Sequence, residues 1–358
     1  MPSVSVLGGG FFFGRGASGG FRIVNSVVTG NTVEWNGTAL GDGVTTRGGG
    51  VFARLENFGS SNEISGSEIS NNSISAPMAP AEGGGLYIEN RGGGGEGSAQ
   101  LVRLVNSTLS GNSAVANTAR GGGAFLASAG SLSENLINNV TIVGNSATAN
   151  GSPGVGGGLV LASDGQNPFF ELSNTLLAGH AGGDCVRLAS EDGPTFILSD
   201  NLIADGNPLL DNANACTEVA AGVTSVDRDS TGVGVAALTN NGGPTRTHAL
   251  LAGSPAIDAV PLGEGSDCIE AFDQRGEPRP IDGDGDGMAL CDIGAFEATA
   301  LPPQGGGGDG PPPVAAQPTI ATFTANPAVI APDEATTLGW TGVTNATRCA
   351  VTATLGSP

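Results

Sequence analysis

The fold is decided by two short stretches, Asn106-Ser-Thr-Leu-Ser-Gly-Asn112 and Gly121-Gly-Gly-Ala-Phe-Leu126. Both recur along the chain, and the two series stay in step although their period varies between about 33 and 41 residues. Two elements that keep one irregular period predict stacked structural units. The glycine triplets begin at Gly8, Gly48, Gly83, Gly121 and Gly156, and the other element ends at Asn31, Asn72, Asn112, Asn145 and His180.

The apolar runs after the triplets favour strands over helices. They are three to five residues long, rich in Val, Ile and Thr, and broken by Gly, Asn and Ser, which is typical of short strands joined by turns. Each glycine would cost an α-helix roughly 1 kcal/mol relative to Ala, whereas at a corner glycine supplies a positive φ without strain. We therefore predict an all-β right-handed parallel β-helix, a solenoid of pectin-lyase-like architecture, over residues 1–236.

Two consequences of this fold can be checked in a structure. The first residue after each triplet should stack in one interior row, and no helix of more than two turns should occur in residues 3–236. The predicted interior row consists of Val51, Leu86, Ala124 and Leu159.

The recurring asparagines have two interpretations. They could form a row of amides that grips a polymer, or a ladder whose side chains hydrogen-bond from coil to coil at a turn, as amides stack in cross-β structures. We favour the ladder. Its fifth position is His180, and a single histidine does not indicate catalysis.

The charge balance excludes several partners. The chain has 13 basic residues, all arginines, against 34 acidic ones, and its net charge is −21. Such an acidic chain repels nucleic acid and anionic membrane surfaces. No apolar run approaches the roughly 18 residues of a membrane span, so we expect no membrane insertion. Met1-Pro-Ser-Val4 does not begin a signal peptide, and we interpret the chain as a fragment of a longer protein.

Beyond residue 237 the repeat gives way to three distinctive phrases, Gly242-Gly-Pro-Thr-Arg-Thr-His248, Asp273-Gln-Arg-Gly276 and Cys291-Asp-Ile-Gly-Ala-Phe-Glu297. Together they resemble the choice-of-anchor Q family of bacterial surface proteins, and the coils before them look like that family's repeats. The resemblance covers roughly residues 1–298. It implies a secreted, surface-attached β-helix with a C-terminal cap module over residues 237–298, an anchor that varies between members and no established chemistry.

The cysteines fit an extracellular protein at the bacterial cell surface. None of the five forms a C-x-x-C motif, and paired cysteines suit an oxidising compartment. We predict disulfides Cys185–Cys216 and Cys268–Cys291, pairings that the resemblance also supports, and an unpaired Cys349.

Two further segments follow the cap module. Residues 299–318 are rich in Gly and Pro and are typical of a linker. Residues 319–358 contain alternating apolar residues and Trp340, which favours the truncated start of an immunoglobulin-like domain.

The best candidate for a ligand site is the acidic stretch Asp282-Gly-Asp-Gly-Asp-Gly287. Acids at alternate positions with intervening glycines reproduce the first half of a calcium loop, although the twelfth position lacks an acid. The pattern predicts one structural calcium ion, Ca2+, as the cofactor, and the alternative is an acidic turn without a metal. The predicted ligands are Asp282, Asp284, Asp286 and Asp292.

The sequence gives little indication of catalysis. His248, Ser254 and Asp258 are the residue types of a catalytic triad, but no G-x-S-x-G elbow surrounds the serine, and a turn with capping side chains explains them better. We expect a non-catalytic, monomeric surface protein, either a structural stalk or an adhesin-like module that binds a glycan or a host or cell-surface protein. The alternative is a polysaccharide-active, pectate-lyase-like enzyme on the same fold.

Overall fold

The computed structural model describes residues 4–14, 20–37, 44–56, 61–92, 100–129, 133–163, 168–189, 195–199, 201–203, 216, 233–262, 268–299, 322–326 and 337–341. Within these residues the chain is all-β, without helices, and none of them forms a helix long and apolar enough to cross a membrane. The chain consists of two compact units, Met1–Pro303 and Gln304–Pro358. The coils and the predicted cap module therefore belong to one unit.

Three sheets, A, B and C, build the first unit, and nearly all their strands pair in parallel. Sheet A contains β1 (Val4–Leu7), β5 (Thr32–Glu34), β6 (Val44–Arg47), β10 (Ser73–Glu82), β13 (Ser113–Arg120), β16 (Ser146–Ala149) and the antiparallel β17 (Ser152–Pro153). Sheet B contains β2 (Phe11–Phe13), β7 (Val51–Leu55), β11 (Leu86–Asn90), β14 (Ala124–Ser128), β18 (Leu159–Ser163) and β21 (Cys185–Ala189).

Sheet C is the largest, with ten strands. It contains β3 (Arg22–Val24), β4 (Val27–Thr29), β8 (Ser61–Ser65), β9 (Glu68–Ser70), β12 (Gln100–Ser110), β15 (Ser133–Val143), β19 (Phe169–Ser173), β20 (Leu176–Ala178), β22 (Thr195–Ser199) and β23 (Leu202–Ile203). Since successive strands of each sheet are separated by about one repeat of the sequence, the unit is a β-helix-like stack of coils.

The predicted interior row is confirmed. Leu86 lies in register with Val51 on one side and with Ala124 on the other, and Ala124 in turn pairs with Leu159. All four side chains are fully buried in one apolar core, which the inward-facing residues of sheet C complete. Each of these strands begins directly after its glycine triplet, as the sequence predicts.

Left-handed residues make the corners of every coil. Gly adopts a positive φ at low cost and Asn does so more readily than most other residues, and the sequence supplies these two at three stacked corner rows. The first glycine of each triplet forms one row, with φ between 61° and 72°. The second row is Asn25, Gly66, Asn106, Asn139 and Asn174, and the third is Gly30, Asn71, Gly111, Gly144 and Gly179.

The asparagine ladder is confirmed as a structural feature. The Nδ2 of Asn112 donates to the Oδ1 of Asn145 over 2.9 Å, and its own Oδ1 accepts from the Nδ2 of Asn72 over 3.0 Å. The backbone N–H of each ladder residue also donates to the next amide, so every rung fixes both the side chain and the main chain. At the last rung the Nδ1 of His180 accepts from the backbone of Asn145 over 2.9 Å.

The glycine triplets leave the space that this ladder occupies. A methyl group on Gly84 would lie 2.4 Å from the carbonyl oxygen of Gly122, and one on Gly85 would lie 2.7 Å from Cγ of Asn112. Real Cβ atoms do not approach other atoms so closely. The three glycines of a triplet therefore have separate roles. The first makes the corner, the second lets neighbouring coils approach each other, and the third packs against the ladder amide.

The remaining sequence predictions fall partly outside the described residues. Of the second unit, β24 (Thr322–Asn326) and β25 (Thr337–Thr341) are described, and they pair antiparallel with Phe323 opposite Trp340. The linker after residue 299, Cys349 and residues 204–215 and 217–232 lie outside the described part of the chain.

Replacing the central ladder residue should destabilise the fold strongly. Asn112→Ala removes the acceptor of both the backbone N–H and Nδ2 of buried Asn72, and it removes one donor each from Asn145 Oδ1 and the carbonyl of Ile69. A buried polar group left without its partner costs about 1–3 kcal/mol. We expect a loss of about 3–5 kcal/mol in the free energy of unfolding, measured by urea denaturation. The same change at the partly exposed end of the ladder, Asn31→Ala, should cost only about 1 kcal/mol. Equal losses would contradict a cooperative ladder.

His180 should make the fold sensitive to acid. Burial lowers the pKa of its imidazole to about 4, whereas an unfolded histidine titrates near 6.5. Between these two values the unfolded chain binds the extra proton, so stability falls as the pH falls from about 6.5 to about 4. His180→Asn restores the amide that the other coils have at this position. When the pH falls from 7 to 4, this variant should lose about 3 kcal/mol less free energy of unfolding than the wild type. If the urea midpoints of the two proteins changed equally with pH, this explanation would be refuted.

Candidate functional site

The C-terminal module packs against the outer face of sheet C. Its bridges are short and antiparallel, for example Val260 with Cys291, and its apolar side chains cover outward-facing residues of β20. Together they form a second buried core of Leu176, Ala178, Val233, Ala256, Val260, Cys291 and Ile293. The module thus shares an apolar interface with the coils.

A row of polar residues across sheet C continues this interface. Glu68, Thr108 and Thr141 pair in register on three neighbouring strands, and each meets a different phrase of the module. Arg246 bonds to Glu68, the Thr108 hydroxyl donates to Oε1 of Gln274 over 2.6 Å, and Ala295 N–H donates to Oγ1 of Thr141 over 2.8 Å. We call these three contacts the clasp.

Both the oxygen and the nitrogen of the Gln274 side-chain amide form hydrogen bonds in or beside the clasp. While its oxygen accepts from Thr108, its nitrogen donates to Oγ1 of Thr245 over 2.9 Å and to the backbone oxygen of Arg246 over 3.1 Å. Thr245 in turn donates to the carbonyl of Gly66. The phrases around residues 245 and 274 are therefore tied to each other as well as to the coils.

The clasp contains one ion pair, between Glu68 and Arg246. The Glu68 side chain is fully buried, and its partner Arg246 is partly exposed. Burial opposes ionisation of Glu68, but hydrogen bonds from Arg246 and Ser70 outweigh it and hold the pKa of Glu68 below its usual value. The carboxylate is thus charged at neutral pH. Sequence reasoning missed Glu68, although it is the only acid among the described residues of its register row. The other strands of that row have Val27, Thr108, Thr141, Leu176 and Leu202.

The residues of the possible triad have separate partners. His248 bonds through Nδ1 to the carbonyl of Ala236 over 2.7 Å and through Nε2 to Oγ of Ser110 over 2.9 Å. Ser254 donates to the carbonyl of Val233 over 2.5 Å. Each side chain satisfies a local backbone group or joins the module to sheet C.

A buried ion pair organises the last phrase of the module. Arg279 donates to Oε2 of Glu297 over 2.6 Å and to the carbonyls of Asp292 and Gly294. Burial, followed by repulsion from Glu297, raises the pKa of Asp292 to about 7. Asp292 accepts backbone hydrogen bonds from Asp258 and Ala298. Its carboxylate is therefore bonded inside the module and does not join the acidic loop.

The acidic loop is closed by its own carboxylates. Asp282 accepts from the backbone of Gly285 over 2.7 Å and of Gly287 over 2.9 Å. Asp258, which adopts a positive φ of 51°, accepts from Gly283 over 2.8 Å and from Asp284 over 2.9 Å. The loop is thus anchored to an acid that lies more than twenty residues earlier in the chain.

Three carboxylates converge at this loop, but they differ from the predicted set. One oxygen each from Asp258, Asp282 and Asp284 lies within 4.8 Å of the others. Asp286 and Asp292 do not belong to this group: Asp286 bonds to the backbone of Met288. The oxygen donors suit a hard cation such as Ca2+. Asp258 was missed because its contribution depends on folding, and no local spacing pattern includes it.

The structure pairs Cys185 with Cys216 and Cys268 with Cys291, the same pairs that the sequence predicts, with Cα–Cα distances of 5.4 and 6.0 Å. The first bond lies at the last strand of sheet B. The second closes the loop of the module that carries the acidic stretch.

No protein-family model, curated protein or solved structure matches this chain.

Breaking the clasp should destabilise the first unit. Arg246→Ala leaves the buried carboxylate of Glu68 without its counter-ion. Because Arg246 itself is partly exposed, we expect a loss of about 2–3 kcal/mol, below the roughly 3–5 kcal/mol of a fully buried pair. Arg22→Ala is the matched control, because Arg22 and Glu63 form an exposed pair that contributes less than about 1 kcal/mol. Thermal unfolding followed by circular dichroism measures both. Similar, small losses in the two variants would show that the clasp contributes little.

Proposed function

We propose that this chain is the right-handed parallel β-helix of a secreted bacterial surface protein and that it acts as a rigid, non-catalytic stalk. The observation that carries the proposal is the combination of registered coils with a module clasped along their flank. Coils that each contact only their neighbours form an extended solenoid. The clasp ties three coils together through buried contacts.

Secretion and surface attachment rest on two further observations. Two cysteine pairs at disulfide distance suit an oxidising compartment. The phrases that resemble the choice-of-anchor Q family are the segments that form the clasp and the buried Arg279–Glu297 pair. These phrases join a module to a solenoid, which is the arrangement that the resemblance implies.

A stalk also explains the use of the charged residues on the coils. A pectate-lyase-like enzyme would need carboxylates on a strand face that are available to calcium and substrate. On sheets A and B the carboxylates of Glu82 and Glu89 instead bond to Arg47 and Arg54 of the neighbouring coil, over 2.9 and 2.7 Å. These pairs fix the register between coils, which favours a structural role over catalysis.

Single-molecule force spectroscopy of the full chain, pulled by its two ends, tests the stalk. A load-bearing solenoid should release one coil of 33 to 41 residues at a time, in steps of roughly 110–150 Å at about 3.3–3.6 Å per residue. Arg246→Ala should lower the force at which the module detaches from the coils and leave the force that releases a single coil unchanged. Smooth extension without steps would contradict a mechanical role.

We further propose that the acidic loop binds a structural calcium ion through Asp258, Asp282 and Asp284, with weak affinity of the order of 10⁻⁴–10⁻³ M, as in extracellular modules. Calorimetric titration of the full chain with calcium should give a binding heat that is lost in Asp282→Asn. Asp286→Asn is the matched control, because Asp286 lies outside the group of three carboxylates. Equal heats in the two variants, or none in the wild type, would leave the loop as an acidic turn.

A further inference from the structure

The first described coil leaves one edge of the three sheets open. Among the residues that the structure describes, each of its strands β1 to β5 pairs with one strand only, which belongs to the second coil. Ser26 and Gly30 bond through their backbone to that coil. Since alternate residues of a parallel strand direct their backbone groups to opposite sides, the N–H groups of Val27 and Thr29 point to the open edge. Proteins usually cover such an edge.

A groove of about 440 Å³ lies on this edge. It is lined by three inward-facing residues that pack against the apolar core of the coils, Phe11, Ile23 and Val28. Their register partners in the second coil are fully buried, because coils lie on both sides of them: Val51, Ile64 and Ile69. The groove is therefore the uncovered end of the core, and an occupant that continues the core would bury apolar surface there.

The asparagine ladder reaches this edge with unused bonding capacity. Oδ1 of Asn72 accepts from the backbone N–H and from Nδ2 of Asn31, over 3.0 and 2.9 Å. Nδ2 of Asn72 also donates to the carbonyl of Val28, in the coil before it, over 2.9 Å. Asn31 has no such coil among the described residues: its Oδ1 receives no donor there, and its Nδ2 reaches the carbonyl of Thr29 in its own coil over 3.3 Å. Asn31 thus offers an acceptor and a donor to a further rung.

Two side-chain rows indicate which residues a partner would need. Phe12 stacks on Phe52 with ring centroids 5.2 Å apart, but Phe12 is 56% exposed and Phe52 only 2%. Arg22 pairs with Glu63 over 3.2 Å, and Glu63 lies in register with Arg103, so the sign of the charge alternates along this row. An aromatic residue over Phe12 and an acidic residue over Arg22 would continue both rows favourably.

These features favour a further coil over a second copy of the chain as the occupant. A two-fold contact of the edge with itself would pair its strands antiparallel, whereas the ladder joins parallel coils in register. Each copy also has a net charge of −21, which opposes self-association. A parallel coil instead continues the interface that already joins every pair of neighbouring coils.

We propose that this edge is a docking surface for a further coil of the same repeat, with an asparagine over Asn31, an aromatic residue over Phe12 and an acidic residue over Arg22. Such a coil would lengthen the solenoid and cover the open end of its core. The mechanical test of the stalk does not depend on this edge, so either proposal can fail alone.

An extended chain tests the surface. Val4 lies in register with Val44, so repeating residues 4–43 directly ahead of Val4 adds one coil in the required register. The added copy supplies the phenylalanine and the asparagine, and Arg22→Glu in this copy supplies the acid. Amide exchange of the original coil is followed by NMR. The N–H groups of Val27 and Thr29 should exchange about tenfold or more slowly than in the wild type, where they are unpaired.

Two matched controls use the same extended chain. In the first, Asn31→Ala in the added copy removes the new rung of the ladder. In the second, the added copy retains its arginine at position 22, which places like charges over each other. Both controls should protect Val27 and Thr29 less than the extended chain with Arg22→Glu alone does.

Three results would overturn the proposal. One is exchange of Val27 and Thr29 that is equally fast in the wild type and the extended chain, while circular dichroism shows that both are folded. Another is equal protection with and without Asn31→Ala in the added copy, which would show that the ladder does not recognise the coil. The third is slow exchange of both groups already in the wild type. It would show that the edge is covered, by a second copy if sedimentation finds a dimer.

Discussion

The packing of the asparagine ladder against the glycine triplets is the constraint on which the rest of the structure depends. Each ladder amide bonds to the next coil through both its side chain and its backbone. The third glycine of each triplet provides the space that the amide needs. A shift of one residue would bury outward-facing side chains and break every rung, because strand side chains alternate between the two faces. Register is therefore fixed at the corner of the coil.

The clasp depends on that register. Glu68, Thr108 and Thr141 form one row only because β9, β12 and β15 are aligned, and the module contacts all three. The same alignment places Arg103 of β12 in register with Glu63 of the neighbouring strand β8, beside the place where the module docks. A feature that contributes to stability inside the coils thus determines, on their outer face, where a module docks and which polar groups converge.

The sequence was most informative where structure repeats. The strands, the interior row of Leu86 and its neighbours, the ladder and the corner glycines follow from spacing alone, because every coil presents the same pattern. The contacts of the module could not be predicted in this way. Glu68 and Arg246 are far apart in the chain, and nothing near either residue indicates the other. The same reason explains why the sequence did not indicate Asp258. It belongs to the group of three carboxylates, whereas the predicted Asp286 and Asp292 do not.

Hydrogen–deuterium exchange of the backbone amides tests the central claim most directly. The N–H groups of Asn72 and Asn112 donate to the next ladder amide over 3.0 and 2.8 Å, whereas those of Gly285 and Gly287 donate to Asp282 in an exposed loop. If the ladder fixes the coils, peptides containing Asn72 and Asn112 should exchange only on global unfolding, orders of magnitude more slowly than the loop. Exchange of the ladder amides at the rate of the loop would contradict the account.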